Sequence, residues 1–165
     1  MRPSFAAVPR PGQVSVWDFP RPPRVEPVED RVRVALGGET IADTRHAVRV
    51  CETASPPTYY IPRADVKPGA LVPCPGGSLC EWKGRATYWT VRASRAEAER
   101  AAWSYPHPHP AFDALRDHVA FYAGRMEGCW VGPHRVVPQP GGFYGGWITP
   151  DLVGPFKGDP GTGHW

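Results

Sequence analysis

Arg31-Val32-Arg33-Val34-Ala35-Leu36 is the stretch that decides the fold of this chain, because its polar and apolar residues alternate. Alternation with a period of two is typical of a β-strand that buries one face and exposes the other. Gly37-Gly38 follows directly and predicts a hairpin turn into a second strand over residues 39–44. The sequence therefore predicts an antiparallel β-hairpin at this point.

Strand patterns continue toward the C-terminus, and further strands are predicted over residues 47–52, 58–62, 78–82 and 85–92. The chain has seventeen valines and five leucines, and β-branched residues pack well on a pleated surface. The 22 prolines and 18 glycines predict many turns and few long helices. The predicted fold class is mainly β: a small antiparallel domain with one short helix and a Pro/Gly-rich extension at each end.

Helical patterns are few. Phe112, Leu115, Val119 and Tyr122 recur at helical spacing and predict a short helix over residues 111–118. The tract 119–122 is equally compatible with a strand. Residues 95–102 have a helix-friendly composition but form a short stretch, and residues 63–77 are predicted to be a loop because of their Pro-Gly pairs.

The predicted organisation is a single domain with two extensions, because 165 residues suffice for one core. Residues 1–30 form a proline-rich arm, residues 31–131 the β domain, and residues 132–165 a Gly/Pro-rich segment with several aromatic residues. We expect this last segment to dock on the domain or on a second subunit, since exposed apolar groups in quantity usually mark a contact. A disordered tail is the alternative.

Charge and cysteine content narrow the classes of partner. The net charge of +3 is spread along the chain, and no basic run predicts nucleic-acid binding. We see no membrane-spanning stretch and no signal-peptide core after Met1, so the expected location is cytoplasmic, with the four cysteines reduced. In an exported protein, Cys74 and Cys80 would be the first pair to suspect of forming a disulfide.

The segment Cys80–Tyr88 contains the most conspicuous candidates. If Lys83-Gly84 is the turn between two strands, Lys83 projects from a hairpin tip, where it serves either as a cation for an anionic ligand or as a solvated lysine. Cys80 is a candidate nucleophile if a nearby cation favours its thiolate, although cysteines more often simply pack. His107 and His109 resemble a metal pair, but the prolines around them favour a geometry that turns them apart, so we expect no metal and no cofactor.

Several short motifs together resemble the domain-of-unknown-function family 427. They are Glu52, Tyr59-Tyr60-Ile61-Pro62, Cys80-Glu81-Trp82-Lys83-Gly84-Arg85-Ala86-Thr87-Tyr88, Ala102-Trp103-Ser104-Tyr105-Pro106 and Val119-Ala120-Phe121-Tyr122. The resemblance implies a small β-tent, an architecture shared with zinc-binding modules and B-type methionine sulfoxide reductases. The paired Cys-x-x-Cys knuckles of those zinc proteins are absent from this sequence, as are a phosphate loop and an Asp pair that would support the family's nucleotidyltransferase label.

The resemblance directs attention to a pocket at strand ends. The leading hypothesis is a domain, either a binding protein or an enzyme, that binds an unidentified small molecule, with Glu52 and Lys83 as the catalytic candidates. The candidate ligand-binding residues are Tyr60, Arg63, Trp103 and Tyr105. Lys83 would supply the cation and Glu52 the acid, the base or a counter-ion, ionised against Lys83 or Arg63. The alternative is a non-enzymatic interaction or homo-oligomerising module that uses its aromatic extensions, and a third reading is that the extensions only cover sheet edges.

Overall fold

The computed structural model describes residues 2–80 and 82–165 of the chain. Met1 and Glu81 lie outside the described residues, so the part of the predicted strand 78–82 that falls on Glu81 does too. The strands are β1 (Val14–Ser15), β2 (Arg24–Pro27), β3 (Val32–Leu36), β4 (Glu39–Thr44), β5 (Val48–Cys51), β6 (Thr58–Pro62), β7 (Leu71–Cys80), β8 (Gly84–Arg92), β9 (Glu97–Ser104), β10 (His118–Phe121), β11 (Gly128–Val131), β12 (His134–Arg135), β13 (Val137–Pro138), β14 (Trp147–Ile148) and β15 (Leu152–Val153). Short 3-10 helices cover Val16–Asp18, Arg63–Asp65, Pro110–Leu115 and Ala123–Arg125.

Two antiparallel sheets form the body of the molecule, which confirms the predicted mainly-β class. In the described residues the larger sheet has seven strands in the order β2-β5-β6-β10-β9-β8-β7, and the smaller has four in the order β12-β11-β3-β4. Two small pairs complete the architecture: β13 with β14, antiparallel, and β1 with β15, parallel. None of the helices in the described part of the chain is long and apolar enough to cross a membrane.

The hairpin predicted from residues 31–44 is confirmed. Strands β3 and β4 pair antiparallel and Leu36 lies opposite Glu39. Gly37 and Gly38 form the turn with φ of 59° and 78°, values that favour glycine and match the twist of a tight hairpin. The burial of alternate residues along β3, with Val32, Val34 and Leu36 inside, follows the sequence pattern.

The prediction of a loop over residues 63–77 is wrong in its second half, because β7 begins at Leu71. Proline lacks an N–H for the ladder, so it is tolerated where a strand has a neighbour on one side only. Strand β7 is such an edge strand, and its register against β8 shifts between Pro73 and Gly77. The prolines and glycines in this stretch therefore mark an irregular edge strand.

The helix-friendly stretch 95–102 lies mostly in strand β9, which pairs with β8 on one side and β10 on the other. Ala and Glu are good helix formers, but intrinsic propensity is a weak bias, and pairing with two neighbouring strands overrides it. The helix predicted over residues 111–118 is present as a shorter 3-10 segment, Pro110–Leu115, with a kink at Phe112. His118 already belongs to β10, which resolves the ambiguous tract 119–122 as a strand.

Two hydrophobic clusters flank the larger sheet. The main core is mostly aliphatic and packs the two sheets together; its fully buried members include Val32, Val34, Ile41, Ile61, Val91 and Trp147. The aromatic cluster lies on the other face of the larger sheet. Its buried members are Val50, Tyr60, Ala86, Trp103, Tyr105, Phe112, Leu115 and Ala120, and Trp82, Tyr88 and Tyr122 pack against it half-buried.

Both extensions contact the body. Trp147 of β14 is fully buried in the main core, stacks on Tyr59 with ring centroids 5.1 Å apart, and donates its indole N–H to the Phe121 carbonyl at 2.9 Å. At the other end of the chain, β2 of the arm pairs with β5 of the larger sheet. The two extensions also contact each other, since Trp17 lies edge-on to Trp165 at 5.2 Å, beside the β1–β15 pair.

Candidate functional site

A cavity of about 400 Å³ lies over the aromatic cluster. Its residues come from the larger sheet, from the tip of the β7–β8 hairpin and from the segment after Pro138. Its walls include six aromatic residues of the domain, namely Tyr60, Trp82, Tyr88, Trp103, Tyr105 and Tyr122. The cavity has the size and the aromatic lining typical of small-ligand sites.

The register of the sheet explains why aromatic residues from distant parts of the sequence meet here. Val48 pairs with Tyr60, and Tyr88 pairs with Trp103, which in turn pairs with Ala120. Directly opposed residues project to the same face of a sheet, so these side chains form one row across it. Adjacent residues of the same strands, such as Tyr59 and Trp89, point the other way and pack with the main core.

The aromatic rings contact each other mostly at steep angles. Trp103 lies 4.5 Å from Tyr122, and Tyr60 lies 6.4 Å from Trp103 and 6.3 Å from Tyr105, measured between ring centroids. Tilted and edge-on pairs of this kind pack favourably and hold each ring in place. The floor of the cavity is therefore a fixed aromatic surface.

Three phenol groups of this floor titrate at unusually high pH. Burial raises the pKa of Tyr60 and of Tyr105, and it raises the pKa of Tyr122 to about 12. The cause is the loss of hydration that a phenolate would need. These hydroxyls stay protonated at neutral pH, and the Tyr122 O–H donates to the Phe143 carbonyl at 3.2 Å.

Lys83 lies at the tip of the β7–β8 hairpin and borders the cavity. Gly84, with φ of +113°, ends the turn, and a Cβ at this position would come within 3.2 Å of the His107 carbonyl. The His109 N–H donates to the Lys83 carbonyl at 3.0 Å, which ties the tip to the following segment. The Lys83 ammonium lies 5.8 Å from the Tyr105 ring centroid and donates to the Cys80 thiol at 3.7 Å.

Glu52 also borders the cavity, but its ionic partner differs from the expected one. Arg21 of the proline-rich arm approaches the Glu52 carboxylate, with Nε and Oε2 3.7 Å apart. The expectation that Glu52 would pair with Lys83 or Arg63 is therefore wrong for this structure. Arg21 is held in position by the carbonyls of Thr53 and Trp165, contacts between segments far apart in the sequence.

Arg63 does not line the cavity. Its guanidinium lies over the Trp89 ring, 4.4 Å from the centroid, and Trp89 packs with the main core on the opposite face of β8. Arg63 was a candidate as an ionic partner of Glu52, but it begins the 3-10 turn Arg63–Asp65, whose residues do not border the cavity. Of the six candidates, the structure brings together Glu52, Tyr60, Lys83, Trp103 and Tyr105.

The C-terminal segment supplies a wall that the sequence reasoning did not assign to the site. Gln139, Phe143, Tyr144, Gly145 and Lys157 all border the cavity. A Cβ on Gly145 would lie 2.0 Å from the Trp103 indole, so only glycine permits this close approach. The Gln139 amide donates to the Lys157 carbonyl at 2.7 Å and accepts from the Gly146 N–H at 3.0 Å, which fixes the wall.

The signal for this wall was present in the sequence as Gly141-Gly142-Phe143-Tyr144-Gly145-Gly146. Aromatic residues between glycine pairs indicate a contact, but they do not indicate which surface is contacted. Phe143 is 76% exposed and Tyr144 40% exposed, so both rings stand at the mouth of the cavity. Leu79 of β7, 74% exposed, also borders it.

Metal ligands do not converge in the part of the chain that the structure describes: no three His, Cys, Asp or Glu side chains are grouped so as to hold an ion. The four cysteines are free thiols, including Cys74 and Cys80. Burial raises the pKa of Cys51 to about 11 and also raises that of Cys129. Those two thiols therefore stay protonated at neutral pH.

Comparison with models of protein families identifies the family of this chain. The model of a family described as a domain of unknown function (DUF427) matches residues 24–132. These residues include the strands β2 to β11 and most of the cavity. No curated protein matches the chain. The match covers well over half of the sequence, and the chain belongs to the DUF427 family.

Proposed function

We propose that this protein binds a small, ring-containing anion in the cavity over the aromatic cluster. The observation that carries the proposal is the position of the Lys83 ammonium at the edge of a cavity floored by Tyr60, Trp103 and Tyr105. A ring would stack on the aromatic surface, while an attached carboxylate or phosphate would be bound by the lysine.

The charges around the cavity favour an anion. Lys83 and Lys157 supply two cations, while Glu52 is already opposed by Arg21. The buried phenols add hydrogen-bond donors, which suit an oxyanion better than a cation. In an enzyme built on this site, Lys83 would bind developing negative charge, and Glu52 would exchange a proton with the ligand or orient it.

A thermal-shift experiment tests the binding proposal, because a ligand that binds only the folded state raises its Tm. The protein is screened against aromatic carboxylates and aryl phosphates, and hits are repeated with Lys83→Met. We expect Lys83→Met to lose most of the ligand-induced shift while keeping the ligand-free Tm. Lys67→Met is the matched control, since Lys67 lies on the surface against Glu39 and outside the cavity. An equal shift in wild type and Lys83→Met would contradict the role of the lysine.

The exposed rim of the cavity favours a second candidate function, self-association or docking of another protein. Leu79 and Phe143 are about three-quarters exposed, and apolar side chains grouped at one place often mark a contact surface. Deleting residues 138–165 would be an unsuitable test, because it removes Trp147 from the main core. The double variant Leu79→Ser/Phe143→Ser keeps the core. If wild type self-associates in light scattering and this variant does not, the rim is the interface; a monomeric wild type argues against it.

We also propose that the protein works in a reducing compartment, with the cytoplasm as the expected one. Supporting this, all four cysteines are free thiols, and Cys51 and Cys129 are buried. Non-reducing and reducing mass spectra of protein taken directly from cells should then show the same mass. A native mass that is lower by the hydrogen atoms lost when two thiols form a disulfide would contradict the proposal.

A further inference from the structure

A second cavity of about 440 Å³ adjoins the first, and the two share Tyr88, Tyr122 and Phe143 as a common wall. Beyond this wall the lining changes from aromatic to charged. Arg100 and Arg125 supply two guanidinium groups, and Glu99 supplies one carboxylate.

The backbone at Arg100 is distorted in a way that directs its side chain. The pairing of β8 with β9 runs from Trp89 opposite Ala102 to Val91 opposite Ala98, so β9 bulges between these pairs. Arg100 lies in this bulge with φ of +50°, a left-handed conformation that is unfavourable for a residue other than glycine. Bulges and strained residues are concentrated beside functional sites, where they redirect a side chain.

The bulge places the Arg100 guanidinium against the common wall. It lies over the Tyr88 ring, 4.1 Å from the centroid, and donates to the Pro75 carbonyl at 3.3 Å. Stacking fixes the plane of the guanidinium, and a fixed plane is what bidentate recognition of an oxyanion requires. Within residues 2–80 and 82–165 the Pro75 carbonyl is the one hydrogen-bond acceptor of this guanidinium, so its other N–H groups are available to a ligand.

Neither Arg100 nor Arg125 forms an ion pair with a carboxylate within residues 2–80 and 82–165. Two guanidinium groups that share a cavity repel each other, and an anion between them removes that repulsion.

We infer that Arg100 and Arg125 bind a second anionic group of the ligand that occupies the first cavity. The ligand class is thus a ring-containing molecule with an oxyanion, carboxylate or phosphate, at each of two ends. One end is bound by Lys83 and the other by the two arginines, and the chain between them passes Tyr88 and Tyr122. Phe143, exposed at the mouth of both cavities, covers this passage. The inference rests on the proposed function, because it assumes that the ring lies in the first cavity.

A series of synthetic compounds (a ladder of spacer lengths) tests the inference. The compounds are 4-carboxyphenoxy alkanoic acids with spacers of increasing length, each compared with the half-ester that lacks the distal charge. A second series of the same kind ends in phosphonate and distinguishes carboxylate from phosphate. For the best spacer length we expect the di-acid to bind about tenfold more tightly than its half-ester, about 1.4 kcal/mol, measured by calorimetry.

Variants identify the groups responsible. Arg100→Gln and Arg125→Gln should each remove most of the di-acid advantage and leave the affinity for the half-ester unchanged. Glu99→Gln should increase the affinity of the di-acid relative to its half-ester, because it removes from the second cavity a carboxylate that repels the distal anion. Arg95→Gln, an exposed arginine outside both cavities, is the control and should change nothing.

The measurements distinguish a failure of the inference about the arginines from a failure of the proposed function. If half-esters bind and depend on Lys83 but no spacer length gives an advantage, the inference about the arginines is overturned and the proposed function stands. An advantage that survives in the double variant Arg100→Gln/Arg125→Gln also overturns the inference. If neither ladder binds at all, both proposals fail.

Discussion

Tyr59 and Tyr60 are neighbours on β6, yet they belong to opposite sides of the larger sheet. Tyr59 stacks on Trp147 within the main core, which is otherwise built largely from valine, isoleucine and alanine. Tyr60 belongs to the aromatic cluster, whose surface is open to a cavity. The main core joins the two sheets and stabilises the fold, whereas the aromatic cluster lines the cavity in which we propose that a ligand binds. Substitutions on the two sides should therefore change different properties.

The largest expected effect is on the main core. Trp147→Ala removes a fully buried indole, its stacking on Tyr59 and its hydrogen bond to Phe121. Truncations of this size cost about 3–5 kcal/mol of unfolding free energy. Urea unfolding measures the loss, and Trp17→Ala, a half-buried tryptophan of the N-terminal arm, is the comparison. Equal losses in the two variants would show that the C-terminal segment does not belong to the core.

A smaller effect is expected where the C-terminal wall meets the aromatic cluster. Gly145→Ala places a methyl group where the Trp103 indole now lies, so the wall or the ring must move. Overpacking costs about 1–3 kcal/mol, and the shape of the cavity changes with it. We expect ligand-induced thermal shifts to fall in this variant. Gly163→Ala is the control, since nothing lies within 4 Å of a Cβ there and Gly163 borders neither cavity.

On the side of the aromatic cluster, Tyr122 should make the stability of the protein depend on alkaline pH. Burial raises the pKa of Tyr122 to about 12, so the folded state holds this proton more tightly than the unfolded chain, where tyrosine titrates near its ordinary value of about 10. The resulting stability is complete below pH about 10 and is lost as the pH rises through about 12. Tyr122→Phe should make the fall in Tm over this range shallower. An unchanged profile would mean that other groups, such as Cys51 with its pKa raised to about 11, dominate the transition.

The smallest effect on stability is expected at the cavity mouth. Phe143→Ala removes the ring of a residue that is 76% exposed, so the unfolding free energy should change by no more than about 0.5 kcal/mol. The affinity for ring-containing anions should nevertheless fall, because Phe143 borders both cavities. Calorimetry on the same preparation measures both. A loss of stability without a loss of affinity would assign Phe143 to the core.

Much of the strand content could be predicted because each strand carries its own pattern. Residues 31–36 alternate, and Gly37-Gly38 is a local turn signal, so the β3–β4 hairpin follows from its own sequence. Strand β9 could not be found in this way, since its alanines and glutamates are good helix formers and its structure is decided by pairing with β8 and β10.

The site was predictable to a similar degree. Lys83, Trp103 and Tyr105 stand in short motifs at strand ends, where side chains project toward a common edge. The Arg21 partner of Glu52 and the wall formed by Phe143 and Lys157 depend on how distant segments come together, which no local pattern records. The bulge at Arg100 likewise appears only once the register of β8 and β9 is known.

The pairing of β1 with β15 has a consequence for the order of events during protein synthesis. Val14 and Ser15 are translated long before their partners Leu152 and Val153. The same delay holds for the ring contacts of Trp17 with Trp165 and for Trp147 in the main core. Until then the main core lacks one of its largest side chains and β1 has no strand to pair with, although β2 of the arm can already pair with β5. The domain can therefore complete its fold only after residues 147–165 have left the exit tunnel, and ribosome-bound chains truncated before residue 147 should be protease-sensitive.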